Sequence, residues 1–134
     1  MTICYARESD LSADDFRALL IASTLGQRRP VDDLDRLERM LRNADVVIAA
    51  RDAGRLVGVS RAITDFAYCC YLSDLAVDAA YQRQGIGKRL IAETRAAAGE
   101  SAMLILLAAP AAEHYYSHVG MTHMPACWAV PRSV

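Results

Sequence analysis

The sequence predicts an α+β fold: a mixed, mostly antiparallel central sheet with helices on both faces and one parallel β-α-β crossover. Three observations carry this. Three apolar segments follow one another between Asp45 and Val77, separated only by short turn sequences. A strand–helix–strand unit then runs from Tyr68 to Ala108, and such a unit returns the chain parallel to its start. Two amphipathic stretches, Leu11–Ile21 and Val31–Arg42, precede the sheet's central strands and supply helices to cover it.

Taken in order, Thr2–Ala6 reads as a short first strand. Leu11–Ile21 is a helix with Ser9 or Asp10 as its N-cap and Leu11, Phe16, Leu19 and Leu20 on its apolar face. Gly26–Pro30 breaks the chain. A second helix covers Val31–Arg42, with Leu34, Leu37, Met40 and Leu41 at helical spacing and aspartates at its positive end. Asp45–Arg51 and Arg55–Thr64 are strands joined by the turn Asp52-Ala53-Gly54. After Asp65-Phe66-Ala67 comes the strand Tyr68–Val77. A helix runs from Gly85 to Ala98, where Gly99 stops it. Ala102–Ala108 is continuously apolar, as expected of a buried parallel strand, and Pro110 ends it. Ala111–Val119 is a last helix and Cys127–Val130 a closing strand, for the order βααβββαβαβ. The 134 residues are expected to form a single domain, 1–134, large enough to bury one core.

Composition excludes several classes of function. Net charge is −1 and the basic residues are scattered, which gives no electrostatic grip on nucleic acid or anionic lipid. No stretch reaches the ~20 apolar residues of a membrane span, and no basic-then-apolar leader opens the chain. The expectation is a cytoplasmic protein without nucleic-acid or membrane partners. Cys4, Cys69, Cys70 and Cys127 lack C-x-x-C spacing and read as structural thiols of a reducing compartment. His114 and His118 are an i, i+4 pair without a third ligand, so no metal is expected.

Chemistry concentrates where Leu75-Ala76-Val77 ends a strand and Gln82-Arg83-Gln84-Gly85-Ile86-Gly87-Lys88 opens a helix. The first N–H groups of a helix lack intrahelical partners, and its N-terminal end is positive. Glycines let an anion come close to that backbone, and Arg83, Lys88 and Arg89 add charge, so the geometry suits a phosphate. Two familiar phosphate loops do not fit. A dinucleotide loop needs a third glycine where Leu90 stands, and a P-loop needs Ser or Thr where Arg89 stands and Gly where Gln82 stands.

Gln82, Gly85 and Gly87 do fit the Gln/Arg-x-x-Gly-x-Gly/Ala signature, and the sequence resembles the GCN5-related N-acetyltransferases over roughly Val46–Met121. A second match lies downstream at Ala112, Tyr115-Tyr116 and Gly120-Met121. The resemblance implies acetyl-coenzyme A as co-substrate, with its pyrophosphate on the backbone of Arg83–Lys88. It further implies that the pantetheine arm pairs with Leu75, Ala76 and Val77 where a bulge splays that strand from the next. A backbone N–H near Leu75 would face the thioester oxygen, and Tyr116 would protonate the leaving thiolate. Asp74, a charge inside an apolar strand, either accepts backbone N–H groups or holds and deprotonates the amine. In a regular strand Tyr71 and Ser73 point to the face opposite Asp74. Tyr115 reads as an amphipathic core residue. Two departures stand out: no glutamate occupies the usual base positions, and Ala108-Ala109-Pro110 lacks the asparagine that many relatives place against the cofactor.

What the resemblance implies, then, is an N-acetyltransferase acting on the primary amine of a small molecule by direct attack in a ternary complex. The alternative is a non-catalytic acyl-coenzyme A sensor built on the same slot. Acceptor choice rests on Leu11–Arg42; Arg28, Arg29 and Arg61 are candidates to meet an acidic group. Small relatives often pair, and the edge of Cys127–Val130 would need cover, so a homodimer is expected.

Overall fold

A computed structural model of the chain describes residues 2–134, apart from the side chain of Ala111. Five strands form one sheet in the order β1-β2-β3-β4-β5: β1 Ile3–Arg7, β2 Val46–Asp52, β3 Arg55–Thr64, β4 Cys69–Val77 and β5 Met103–Ile105. The first three pairings are antiparallel and β4–β5 is parallel, so this is the mixed α+β sheet that the order of segments predicts. The β2–β3 hairpin closes through Ala53 and Gly54, both at positive φ (47° and 87°), the two-residue turn that matches strand twist.

Helices cover both faces. α1 (Ala13–Ala22) and α2 (Leu34–Arg42) lie on one side, where Phe16, Leu20, Leu37 and Leu41 pack on Val47, Val59 and Ala76. α3 (Ile86–Ala98) lies on the other, where Ile86 and Leu90 pack on Val46, Ile48, Val57, Ala62 and Leu72. β2 is buried along Val46–Ala50 because alternate residues enter the two cores. Each fully buried Leu or Phe contributes roughly 1.5–3 kcal/mol.

Helix starts fall later than expected. Ser12, not Ser9 or Asp10, caps α1 by accepting from Asp15 N at 3.1 Å, and Asp33 caps α2 by accepting from Arg36 N at 3.0 Å. A short 3₁₀ turn, Leu25–Arg28, lies between the two helices.

The C-terminal third departs further. β5 is only Met103–Ile105 rather than Ala102–Ala108, and it is a sheet edge: Met103, Ile105 and Leu107 are exposed, not buried. Its pairing with β4 stops at Tyr71↔Ile105. The last helix shrinks to a 3₁₀ turn at Pro110–Ala112 and a single turn, α4 (Tyr115–His118). Cys127–Val130 is not a strand; among the described residues none follows β5, and Trp128 is 94% exposed. Among the described residues no strand pairs with that segment, and apolar composition alone does not make a strand.

Candidate acetyl-transfer site

β4 is where the site begins. Its register against β3 shifts between Arg61↔Asp74 and Ala62↔Leu72, which leaves Ser73 as one extra residue, a β-bulge. The bulge exchanges the strand's faces. Cys70 and Leu72 enter the α3 core, yet Ala76 enters the α1/α2 core. Asp74 therefore shares a face with Ala76 and not with Leu72: the strand is bulged as expected, but at Ser73, before Asp74 rather than after it. Beyond the bulge, Asp74–Val77 stays paired with β3 while β5 has already diverged, so among the described residues the other edge of Leu75, Ala76 and Val77 carries no strand partner.

At the end of that open edge sits the glycine loop. Asp78 N donates to Val57 O at 2.9 Å, and the Asp78 carboxylate accepts from Ala80 N and pairs with Arg55. Tyr81 donates to Asp52 at 2.7 Å, which braces the loop against the hairpin tip. Gln82 donates back to Val77 O at 3.3 Å. Arg83 and Gly85 both take positive φ (64° and 82°), and Gly85, with nothing near its missing side chain, turns the chain into α3. The first helical bond runs from Arg89 N to Gly85 O, so the N–H groups of Ile86, Gly87 and Lys88 precede it, and no side chain caps this end. Arg83, Gln84 and Lys88 are exposed around it. This end of α3 is a cluster of backbone donors of the kind that can cradle an anion, continuous with the free edge of β4.

α4 hangs over both. A Cβ on Gly87 would lie 2.7 Å from Tyr115 Oη and 3.9 Å from a Val77 methyl, so the Tyr115 hydroxyl reaches the start of α3. Tyr115 is thus partly exposed at the cradle rather than a core residue. Tyr116 stacks edge-on against it, ring centroids 5.1 Å apart. Burial pushes the Tyr116 phenol above its usual value, with the neighbouring Tyr115 adding to the rise; Tyr115 is raised by burial alone. Both stay protonated at neutral pH and can donate.

On the opposite face, Asp74 is 0% exposed and is clasped by two guanidinium groups, Arg29 Nε on one oxygen and Arg61 Nε on the other. Arg61 Nη2 also donates to Ser73 Oγ at 3.0 Å, and Arg29 Nη2 to Ser73 O at 2.8 Å. The two alternatives for Asp74 are thereby unequal: its acceptor capacity is already turned toward structure, though to arginine side chains and not to backbone N–H groups. Sequence reasoning missed this ion cluster because Arg29 lies 45 residues from Asp74. The one available signal was a charged residue, Arg61, in an apolar strand. Among the described residues no group of three His, Cys, Asp or Glu is placed to hold a metal ion, and no helix is long and apolar enough to cross a membrane.

Comparison with known proteins agrees with this geometry. No curated protein sequence is significantly similar. Solved structures are similar: a GNAT-family acetyltransferase from Streptococcus pneumoniae has a TM-score of 0.77 at 23% identity over 98% of this chain and 100% of that one. An aminoglycoside acetyltransferase from an uncultured soil metagenomic sample, solved with sisomicin, scores 0.72 at 21% identity over 98% and 96%. The aminoglycoside N-acetyltransferase AAC(6')-Iy, solved with coenzyme A, scores 0.75 at 16% over 99% and 96%. At these identities the likeness establishes the fold alone. The family model for the acetyltransferase (GNAT) domain matches residues 42–121, which contain the bulged strand, the glycine cradle and the tyrosine helix, and the chain therefore belongs to the GNAT family of acetyltransferases.

Proposed function

We propose that this chain, acting as one unit, transfers an acetyl group from acetyl-coenzyme A to the primary amine of a small molecule by direct attack in a ternary complex. The observation that carries the reading is the continuity of the open N-terminus of α3 with the unpartnered edge of β4, with the Tyr115–Tyr116 pair beside that terminus. One path then offers donors for a pyrophosphate and main-chain partners for an extended amide-bearing arm, with the Tyr115 hydroxyl beside those donors and Tyr116 stacked on Tyr115. Both the soil enzyme's sisomicin complex and the coenzyme A complex of AAC(6')-Iy support such chemistry on this fold.

In this reading the N–H groups of Ile86, Gly87 and Lys88 hold the pyrophosphate, with Arg83 and Lys88 supplying charge and Gln82 and Gln84 shaping the turn. Leu75, Ala76 and Val77 pair with the pantetheine amides as a missing strand would. A β4 N–H near Leu75 meets the thioester oxygen and stabilises the charge that develops there. Tyr116 gives its proton to the departing thiolate. An ordinary phenol and thiol differ by ~1.5 pKa units, so the transfer is uphill by about 2 kcal/mol, and burial widens the gap. The proton must move as the sulfur charge develops, which requires the hydroxyl to be already in place. Asp74 maintains the bulge through Arg29 and Arg61, and the amine loses its proton to water. A homodimer is part of the proposal, since Met103 and Ile105 leave an apolar edge uncovered; a monomer mass in light scattering removes it.

A second reading, a sensor that binds acyl-coenzyme A without turnover, is favoured by one observation: Asp74, the acid beside the slot, is already bound to two arginines. One set of measurements separates the readings. Amine-dependent thiol release from acetyl-coenzyme A supports the enzyme; binding of coenzyme A without it supports the sensor. Gly87→Asp places bulk against Tyr115 and a carboxylate in the anion cradle, and coenzyme A binding by calorimetry should be lost. Tyr116→Phe should retain binding and lose ~10²–10⁴-fold in kcat. Unchanged coenzyme A affinity in folded Gly87→Asp removes the cradle assignment.

A further inference from the structure

Arg29 has more hydrogen-bonding capacity than its own structure uses. A guanidinium carries five N–H donors. Arg29 Nε goes to Asp74, Nη2 to Ser73 O at 2.8 Å and Nη1 to Arg28 O at 2.8 Å, which leaves one donor on each Nη. The side chain is 22% exposed, whereas that of Arg61 is 9% exposed. Charge is unbalanced as well. Two guanidinium groups share one carboxylate, and among the described residues Asp74 is the only acid in ion-pair contact with either. A single arginine would neutralise Asp74; the second leaves a half-buried excess positive charge, which is costly unless something pairs with it.

The position is specific. Arg29 grips the carbonyl of Ser73, the bulge residue two positions past the last β4–β5 pair, and it reaches there from the α1–α2 connection, opposite the α3 face. If the donor lies along β4 from the α3 side, an acceptor enters over Arg29. We infer that the acceptor is an amine bearing a carboxylate, bound by the free donors of Arg29, with Asp74 and Arg61 holding that guanidinium in place. This rests on the acetyl-transfer reading and names its substrate class. A planar fork suits a carboxylate. The same charge disfavours a protonated amine beside it, which promotes the neutral nucleophile, and it opposes a polycation such as sisomicin.

The experiment compares matched acceptors on the wild-type chain with acetyl-coenzyme A: β-alanine against β-alaninamide, aspartate against asparagine, and sisomicin. The carboxylate-richer member of each pair should be preferred by ~10–100-fold in kcat/KM, the scale of a hydrogen bond to a charged group. Arg29→Lys, which keeps charge but loses the fork, should shrink that ratio mainly through KM. Equal or better turnover of the amides or of sisomicin overturns the inference and leaves acetyl transfer standing. A readout independent of turnover guards against a variant that does not fold and against an idle panel. Succinate titrated into the wild-type coenzyme A complex should shift the Arg29 Nε–H resonance. No shift overturns the inference; a shift without any amine turnover upholds the anion site while removing the enzymatic reading.

Discussion

Replacing Asp74 by Asn tests whether this carboxylate serves the fold or the proton transfer. Asp74 is fully buried, and each of its oxygens accepts from a different guanidinium, Arg29 and Arg61. Asn keeps the volume, removes the charge and turns an N–H₂ toward one of the two arginine donors. Two largely buried cations are then left without their counter-ion, a change that costs about 3–5 kcal/mol when one partner of a buried pair is removed. At ~2.1 cal/mol/K per residue, unfolding 134 residues carries ~280 cal/mol/K, so the melting temperature should fall by roughly 11–18 °C. Calorimetric melting and kcat/KM measured well below the transition, on the same preparations, give both halves of the answer. The expected pattern is a large loss of stability with kcat retained in the folded fraction. A melting temperature within ~3 °C of wild type, together with a collapse in kcat and a shifted acid limb of the pH profile, would refute the structural assignment and make Asp74 the base.

Two further outcomes follow from particular contacts. Asp65 organises the β3–β4 turn by accepting from the backbone N–H groups of Ala67, Tyr68 and Cys69, and these bonds hold its carboxyl at about 2, below its ordinary 3.8. A depressed folded value means stability present above pH 3.8 and lost as pH falls toward 2, so Asp65→Asn should flatten the acid limb of melting temperature against pH; identical slopes in that window would refute this. Glu8 is lowered in the same direction by its hydrogen bond to Arg51, and Glu8→Gln should likewise lessen the loss of stability on acidification below its ordinary value, checked by the same titration.

The central sheet was legible because its signals are local. Asp52-Ala53-Gly54 marks a two-residue hairpin wherever it occurs between apolar strands, and Gly85 and Gly99 bracket α3 through backbone angles that glycine adopts freely. Cap positions were less so: Ser9, Asp10 and Ser12 are all competent, and only packing of Ala13 and Phe16 against the sheet selects Ser12. The C-terminal third was misread for a different reason. Ala102–Ala108 is apolar throughout, and periodicity cannot tell a strand covered on both faces from an edge that alternately faces out. Burial of Ala102 against exposure of Met103 and Ile105 is settled by which neighbours exist, as is the unpaired course of Cys127–Val130.

Ser73 explains why the candidate site was half visible. Read at period two, Cys70, Leu72, Asp74 and Ala76 form one buried row, and buried they are. The row nevertheless belongs to two cores, because the extra residue at Ser73 rotates everything after it by one face. A regular strand would send Asp74 into the apolar α3 core beside Leu72, where no arginine waits and an unpaired charge is untenable. With the bulge, Asp74 meets Arg61 across the β3–β4 ladder and Arg29 from the α1–α2 connection, and Leu75 and Val77 take the α3 side beside the glycine cradle. The same displacement ends pairing with β5 two residues earlier, at Tyr71, and frees the edge along which an extended ligand can pair. One inserted residue thus accounts for the open β4 edge on one side and the buried Asp74 cluster on the other. That is why the ion cluster and the open edge lie on either side of the same bulge although no motif joins them in the sequence.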